Sequence, residues 1–211
     1  MQLGVDEAGK GPVLGSMFAA AVRADPDSLP ADVGDSKDIS PERREELAVA
    51  IHDAAVGVAI AEIPVARIDA DDTDMNGLTV AAHVDALRRV AEPGDAGYVD
   101  AADTNAVRFE QNVSEKLAAD VDLRAEHGAD ASYPIVGAAS IIAKVRRDAH
   151  VGTLIAEYGD VGSGYPSDPT TRDFLRRYVA EHDRLPDCAR TSWQTSQDVL
   201  AATAQSSLAD F

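Results

Sequence analysis

A glycine-rich stretch near the start of the chain carries two adjacent acids and a lysine. It reads GVDEAGKG over residues 4–11 and comes close to a phosphate-binding P-loop, G-x-x-x-x-G-K-[ST]. Gly11 stands where that loop needs a hydroxyl, and the carboxylates of Asp6 and Glu7 would repel a directly bound phosphate. A divalent cation lying between the acids and a phosphate would remove the conflict. The stretch therefore indicates a metal-bridged phosphate site, where glycines let the backbone approach a substrate.

A metal site of this kind needs further oxygen ligands from other strand ends. Asp100 closes the apolar segment GYVD, and Asp130 follows a weaker strand pattern in AEHGADASYP. Carboxylates without cysteine suit Mg²⁺ or Mn²⁺ rather than zinc, and two such ions would support in-line attack of water on a phosphodiester. The histidines show no zinc spacing. The acidic segment at residues 69–74 lacks the glycine and glutamate of a calcium loop, which indicates a solvated loop.

Strands and helices are predicted around these residues from hydrophobic periodicity and turn signals. The strands are expected at 1–6, 12–23, 57–63, 97–101 and 121–127. The helices are expected from 41, at 75–91, 107–117 and 134–150, from 169, and at 191–203. Three early strands followed by alternating strands and helices predict an α/β layer with a mixed sheet and a helical C-terminal part.

The composition is strongly acidic, with 37 acidic and 19 basic side chains among 211 residues and a net charge of −18. Such an excess either opposes contact with nucleic acid or marks a surface adapted to high salt, and the even spread of acids favours salt adaptation. The single cysteine excludes an intrachain disulfide. Without a basic leader or an apolar run long enough for a bilayer, a cytoplasmic protein with no membrane contact is expected.

Six ordered motifs resemble type 2 ribonuclease H, specifically its archaeal branch, and the net charge points to a halophile. They are GVDEAGKGPVLG, DSK, MNGLTVAAH, YVDAADTN, AEHGADASYPIVGAASIIAKVRRD and GSGYPSDPTT. The resemblance covers about residues 3–195. It implies a ribonuclease H-like fold, a five-stranded mixed sheet flanked by helices, with a helical C-terminal extension. It also implies cleavage of RNA–DNA hybrids and of single ribonucleotides embedded in duplex DNA, on the 5′ side, leaving a 3′-hydroxyl and a 5′-phosphate.

The resemblance implies roles for individual residues. Four carboxylates match the family's metal ligands for two Mg²⁺ or Mn²⁺ ions: Asp6, Glu7, Asp100 and Asp130. The glycine–basic–glycine motif corresponds to Gly9, Lys10 and Gly11, which are expected to meet the 2′-hydroxyl of the ribonucleotide and a nearby phosphate. Tyr165 matches a tyrosine that stacks on the sugar 3′ of the ribonucleotide. The polar positions expected to hold backbone phosphates are Ser36, Lys37, Asn76 and Lys144.

The last seven residues, QSSLADF, have the spacing of a peptide that binds the sliding clamp PCNA. Gln205 would fill a polar pocket, while Leu208 and Phe211 would form a hydrophobic plug. The alternative is a frayed tail without a partner. The expected division is a catalytic domain at 1–150, a helical extension at 151–204 and a flexible tail at 205–211, in a monomeric protein.

Two other functions remain open at this point. A P-loop-like NTPase would bind nucleotide at Lys10, although it would need a hydroxyl at position 11. A clamp-tethered module that binds hybrids without cutting them would tolerate the loss of any one acid. A cleavage assay on an acid-to-amide variant distinguishes this module from a nuclease.

Overall fold

The computed structural model describes residues 1–34, 39–72 and 74–209, and for 206–209 it describes the backbone only. The chain divides into two compact units. The first unit contains Met1–Lys10, Phe18–Glu62 and Thr73–Arg147; the second contains Gly11–Met17, Ile63–Asp72 and Asp148–Phe211. The predicted boundary at residue 150 stays a prediction, because the second unit also takes in two earlier segments.

Five strands form one mixed sheet in the order β3-β2-β1-β4-β5. Their bounds are β1 Gln2–Ala8, β2 Met17–Ala24, β3 Gly57–Ile63, β4 Ala96–Asp100 and β5 Asp122–Glu126. β1 pairs antiparallel with β2 and parallel with β4, and β4 pairs parallel with β5. The carboxyl ends of β1, β4 and β5 therefore meet at one edge of the sheet, as parallel pairing requires. The predicted five-stranded mixed sheet flanked by helices is confirmed.

Helices of the first unit begin at residues that cap them. α1 Pro41–Ala54 starts after Ser40, α3 Met75–Arg88 after Asp74 and α4 Ala106–Leu117 after Asn105, and each cap side chain accepts a main-chain N–H of the first turn. The short α5 Ala129–Ser132 is followed by the long α6 Pro134–Tyr158, which crosses from the first unit into the second.

The core of the first unit joins α1, α6 and β2, with wholly buried residues such as Val22, Ile51, Ile135 and Ile141. Gly4 on β1 permits this packing, because a Cβ there would lie 2.2 Å from the carbonyl oxygen of Ile135 on α6. Only a residue without a side chain lets the strand and the helix approach so closely.

The second unit is built around α7 Pro169–His182 and α8 Gln194–Ala209, together with the four-residue α2 Val65–Ile68. Its core contains Val13, Leu14, Phe174 and Leu175. Leu14 also forms an isolated antiparallel bridge with Ala189. This unit contains the predicted helical C-terminal part.

Several sequence-based boundaries differ from the structure. The predicted strand at 12–23 begins only at Met17, because Gly15 has a left-handed φ of 79° and Val13 bonds to Gly164 instead of a strand. α6 continues to Tyr158, beyond the expected end at 150, and stops before Gly159, whose φ is 80°. The short helices α2 and α5 were not predicted. Across the described residues, no helix combines the length and apolarity that a membrane crossing needs.

Candidate active site

Two of the predicted metal ligands lie at the ends of neighbouring parallel strands. Val5 of β1 is paired with Val99 of β4, and the next residues along the two strands are Asp6 and Asp100. Asp6 is almost wholly buried and Asp100 is half-buried. The sheet register therefore brings together two acids that are far apart in sequence.

The carboxylates of this site repel one another. Burial raises the pKa of Asp6 well above its usual range, and repulsion from Glu7 and Asp100 raises this pKa further. Burial also raises the pKa of Asp100, and repulsion from Glu7 and Asp130 adds to this rise. The predicted acids thus form one electrostatic cluster on the first unit. Hard oxygen donors with excess negative charge fit a divalent cation of the Mg²⁺ or Mn²⁺ type.

Asp130 is placed by α5, directly after the end of β5. Gly128 precedes the helix with a left-handed φ of 67°, which glycine adopts without strain. The main-chain N–H of Ala129 then donates to Oδ1 of Asp100 at 2.8 Å. This bond connects the end of β4 to the short helix that carries Asp130, whose side chain is buried.

The two acids of β1 also have protein partners in this arrangement. Asp6 accepts the main-chain N–H of Glu7 at 2.7 Å, and Glu7 lies 2.8 Å from Nε2 of His83. Among the described residues, no three acid, imidazole or thiol groups are already gathered as a closed metal cage. The acids are neighbours in an open, mutually repelling arrangement.

Lys10 is held at the turn that follows β1. Its Nζ donates to Oδ1 of Asn76 at 3.1 Å and to the carbonyl oxygen of Ala102 at 2.5 Å. Ala102 lies two residues beyond Asp100, so the lysine is anchored to the loop that leaves β4. Gly9 supplies the turn with a φ of 88°. The structure thus brings the predicted pair Lys10 and Asn76 together.

Lys144 reaches the acids through Ser140, which sequence reasoning missed. Lys144 Nζ donates to Oγ of Ser140 at 2.8 Å, and Ser140 hydrogen-bonds to Asp6, which opposes the rise in the Asp6 pKa. The two residues are one helical turn apart on α6, so the spacing of four could have suggested their contact but not the contact with Asp6.

Comparisons with known proteins identify the family of this chain. The sequence model of the family Ribonuclease HII matches residues 3–196. The chain belongs to the ribonuclease HII family. It is 65% identical over 211 residues to a ribonuclease HII of Haloarcula marismortui, covering 100% of each chain, and 60% identical to that of Halobacterium salinarum, covering 100% and 99%. These relatives from halophiles agree with the salt-adapted surface expected from the charge.

Solved structures give the same result. Ribonuclease H2 from Pyrococcus horikoshii superimposes with a TM-score of 0.90 at 35% identity, covering 97% of this chain and 99% of the other. The ribonuclease HII in a PCNA complex from Archaeoglobus fulgidus superimposes with a TM-score of 0.86 at 36% identity, covering 94% and 96%. The P-loop alternative is wrong, because the turn at Lys10 leads towards β2 and not into the helix that a P-loop precedes.

The remaining predicted residues of this ribonuclease HII lie in the second unit or outside the description. Tyr165 is 40% exposed, and its Cε1 is 3.7 Å from the position that a Cβ on Gly11 would occupy. Trp193 donates through Nε1 to the carbonyl oxygen of Gly11 at 3.4 Å. Gln205 is exposed on α8. Outside the described residues or side chains lie Ser36, Lys37, Leu208 and Phe211.

Proposed function

We propose that this ribonuclease HII uses two divalent metal ions to hydrolyse the RNA strand of RNA–DNA hybrids. It also cuts at single ribonucleotides embedded in duplex DNA, on the 5′ side, leaving a 3′-hydroxyl and a 5′-phosphate. Membership of the ribonuclease HII family makes it an endonuclease that hydrolyses RNA phosphodiester bonds. The observation that carries the proposal is the electrostatic coupling of acids from β1, β4 and α5 beside the turn that holds Lys10.

The four carboxylates would hold the metal ions: Asp6, Glu7, Asp100 and Asp130. When bound, Mg²⁺ or Mn²⁺ supplies a Lewis acid that lowers the pKa of water and stabilises the leaving oxygen. The burial of Asp6 excludes bulk water from one side of the cluster, which strengthens its interaction with any cation.

The turn beside the acids would select the ribonucleotide. Gly9 allows the main chain to approach a sugar, and Lys10 supplies a point charge whose position Asn76 and Ala102 fix. A backbone group that comes this near can hydrogen-bond to a 2′-hydroxyl, which distinguishes RNA from DNA. Tyr165 would stack on the sugar 3′ of the ribonucleotide, and Lys144 would contact a phosphate, as would Ser36 and Lys37.

A cleavage assay in molar KCl tests this function directly. The substrates are duplex DNA with one embedded ribonucleotide, a full RNA–DNA hybrid and duplex DNA, each with Mn²⁺, Mg²⁺ or EDTA. We expect cleavage of the first two only when metal is present, and no cleavage by Asp6→Asn. Extension of the nicked strand by a DNA polymerase checks for the 3′-hydroxyl. Cleavage in EDTA, or cleavage by Asp6→Asn at the parent rate, would refute the two-metal proposal.

We also propose that the tail binds a sliding clamp. The spacing of Gln205, Leu208 and Phe211 supports this, as does the PCNA complex of the Archaeoglobus fulgidus protein at 36% identity. Tethering to a clamp would raise the effective enzyme concentration at DNA without requiring further charge on the enzyme. A cytoplasmic location and a monomeric state, both expected from the sequence, remain predictions.

A further inference from the structure

His83 is a buried polar residue that ends the motif MNGLTVAAH, and neither that motif nor the proposed catalytic roles give it a function. It lies on α3 with none of its surface exposed, and Nε2 is 2.8 Å from Oε2 of Glu7. A carboxylate oxygen only accepts hydrogen bonds, so Nε2–H must be the donor in this contact. Burying an imidazole is unfavourable unless its polar atoms find partners, and Glu7 is the partner that His83 has found.

The other ring nitrogen of His83, Nδ1, is buried and is not hydrogen-bonded to any residue that the structure describes. The ring packs edge-on against Phe109 of α4 with 5.3 Å between centroids, so one side of the ring faces an apolar side chain. A residue kept only for packing would be apolar here. Among the residues that the structure describes, the polar interaction of the ring is therefore the contact with Glu7.

The position of Glu7 explains what this contact can do. Glu7 follows Asp6 directly on β1, and it is one of the charges that raise the Asp6 pKa. Repulsion alone would push the Glu7 side chain away from its neighbour. His83, which is fixed on the buried face of α3, counters this by hydrogen-bonding to Oε2 of Glu7. The bond fixes the orientation of the carboxylate and therefore also the position of its other oxygen. A hydrogen bond to a ligating carboxylate orients it for metal.

We propose that His83 is a positioning residue, which holds the carboxylate of Glu7 in the orientation that binds metal and so raises metal affinity. The proposal rests on the metal site of the proposed function, but it concerns a residue outside the ligand set. It explains why a wholly buried histidine contacts an acid of the cluster. Removing it should weaken metal binding without removing any ligand.

Substitutions at His83 separate hydrogen bonding from packing. His83→Phe keeps an aromatic ring beside Phe109 but removes the donor. His83→Gln places an amide N–H about as far from the backbone as Nε2, whereas His83→Asn places it nearer, at the level of Nδ1. Gln should therefore restore the bond to Glu7 and Asn should not. The Gln and Asn variants carry the same polar group, so a difference between them cannot come from polarity alone.

The measurement is Mn²⁺ binding by the full chain in molar KCl, followed through loss of the free-ion electron paramagnetic resonance signal. We expect Kd for Mn²⁺ to rise about 10–100-fold in His83→Phe and His83→Asn. In His83→Gln, Kd should stay within about threefold of the parent value. The Mn²⁺ concentration for half-maximal cleavage should shift in parallel, while the rate at saturating Mn²⁺ changes less.

Three results would overturn the inference or its basis. Parent-like Mn²⁺ affinity in His83→Phe overturns it, as does equal weakening in the Gln and Asn variants, which would indicate packing alone. Asp6→Asn serves as the reference for a lost ligand. If Asp6→Asn binds Mn²⁺ as tightly as the parent, the proposed metal site is wrong. If Asp6→Asn binds Mn²⁺ more weakly but the His83 variants bind it like the parent, the metal site is supported and the role of His83 is refuted.

Discussion

Asp100 accepts the main-chain N–H of Ala129 at 2.8 Å, and this bond joins the end of β4 to the helix that carries Asp130. The third acid of the cluster is therefore also a structural anchor for the fourth. An amide at position 100 keeps an oxygen that can accept the same bond but loses the negative charge. Substitution by Asn thus separates the chemical role of Asp100 from its structural role.

Asp100→Asn should reduce cleavage of a ribonucleotide-containing duplex by roughly a hundredfold or more, because even residues that only support metal ligands are worth about 10–100-fold. The thermal midpoint should stay the same or rise, since the bond from Ala129 is kept and the repulsion from Glu7 and Asp130 is removed. Initial rates at saturating Mn²⁺ provide the measurement. Glu115→Gln, which removes an exposed acid on α4, is the matched control. A parent-like rate in Asp100→Asn would show that cleavage does not need the Asp100 carboxylate as a metal ligand.

Gly4→Ala should destabilise the protein by about 1–3 kcal/mol or more, the usual range for overpacking. The added Cβ would lie 2.2 Å from the Ile135 carbonyl oxygen, so β1 or α6 has to move. Gly152→Ala is the matched control, because nothing lies within 4 Å of its added Cβ on α6. That control should be stabilised by about 0.5–1 kcal/mol. Urea unfolding in molar KCl compares them, and equal stability of the two variants would contradict the close approach.

Acid should weaken the start of α7 through Asp168. Main-chain and side-chain hydrogen bonds from Ser163, with further main-chain bonds from the first turn, lower the pKa of Asp168 to about 2. A lowered pKa means that the ionised side chain stabilises the fold above the unfolded value near 4, and that this contribution is lost as pH falls from about 4 to about 2.

Thermal melting of the parent and Asp168→Asn between pH 5 and pH 2 tests this contribution. The midpoint of the parent should fall more steeply than that of the variant over this range, because the amide does not titrate. The difference between the two midpoints should be largest at pH 5 and should shrink towards pH 2. Parallel curves would show that Asp168 does not contribute to acid sensitivity.

The tail prediction separates clamp binding from catalysis. Phe211→Ala and Leu208→Ala should abolish binding of the full chain to purified PCNA from a haloarchaeon, while cleavage of a short duplex without clamp stays at the parent rate. Isothermal titration in molar KCl measures the binding. Ser207→Ala changes a position between the motif residues and should bind like the parent. If all three variants bound PCNA with the affinity of the parent, the tail would have no role in clamp binding.

Salt should inhibit this enzyme far less than its nucleic-acid substrate would suggest. Contacts that rely on released counterions weaken steeply with salt, and a chain of net charge −18 has few cations to contribute them. Binding through metal, backbone hydrogen bonds and clamp tethering should persist in molar KCl. Cleavage rates measured from about 0.02 to about 3 M KCl check this expectation. A maximum below about 0.1 M and no activity above 1 M would show that counterion release dominates.

The sequence predicted much of this fold because its local signals agree with the tertiary structure. The cap at Ser40, the alternating strands and the acids at strand ends all lie where the structure needs them. His83 and Ser140 were missed, since their importance comes from contacts with Glu7 and Asp6, far away in the chain. Hydrophobic periodicity assigns both to the buried side of a helix but does not identify what they contact.

Ser140 has one hydroxyl proton, and that proton gives its contacts a direction. The hydroxyl accepts a hydrogen bond from Lys144, so its proton is available to donate to Asp6. The charge of the lysine polarises the hydroxyl and thereby strengthens the hydrogen bond to Asp6. Replacing Lys144 would therefore alter the acid cluster even with no nucleic acid present. A loss of activity in such a variant would combine a lost phosphate contact with a change in the acid cluster. Ser140→Ala separates the two, because it removes the hydroxyl between Lys144 and Asp6 but keeps the lysine charge.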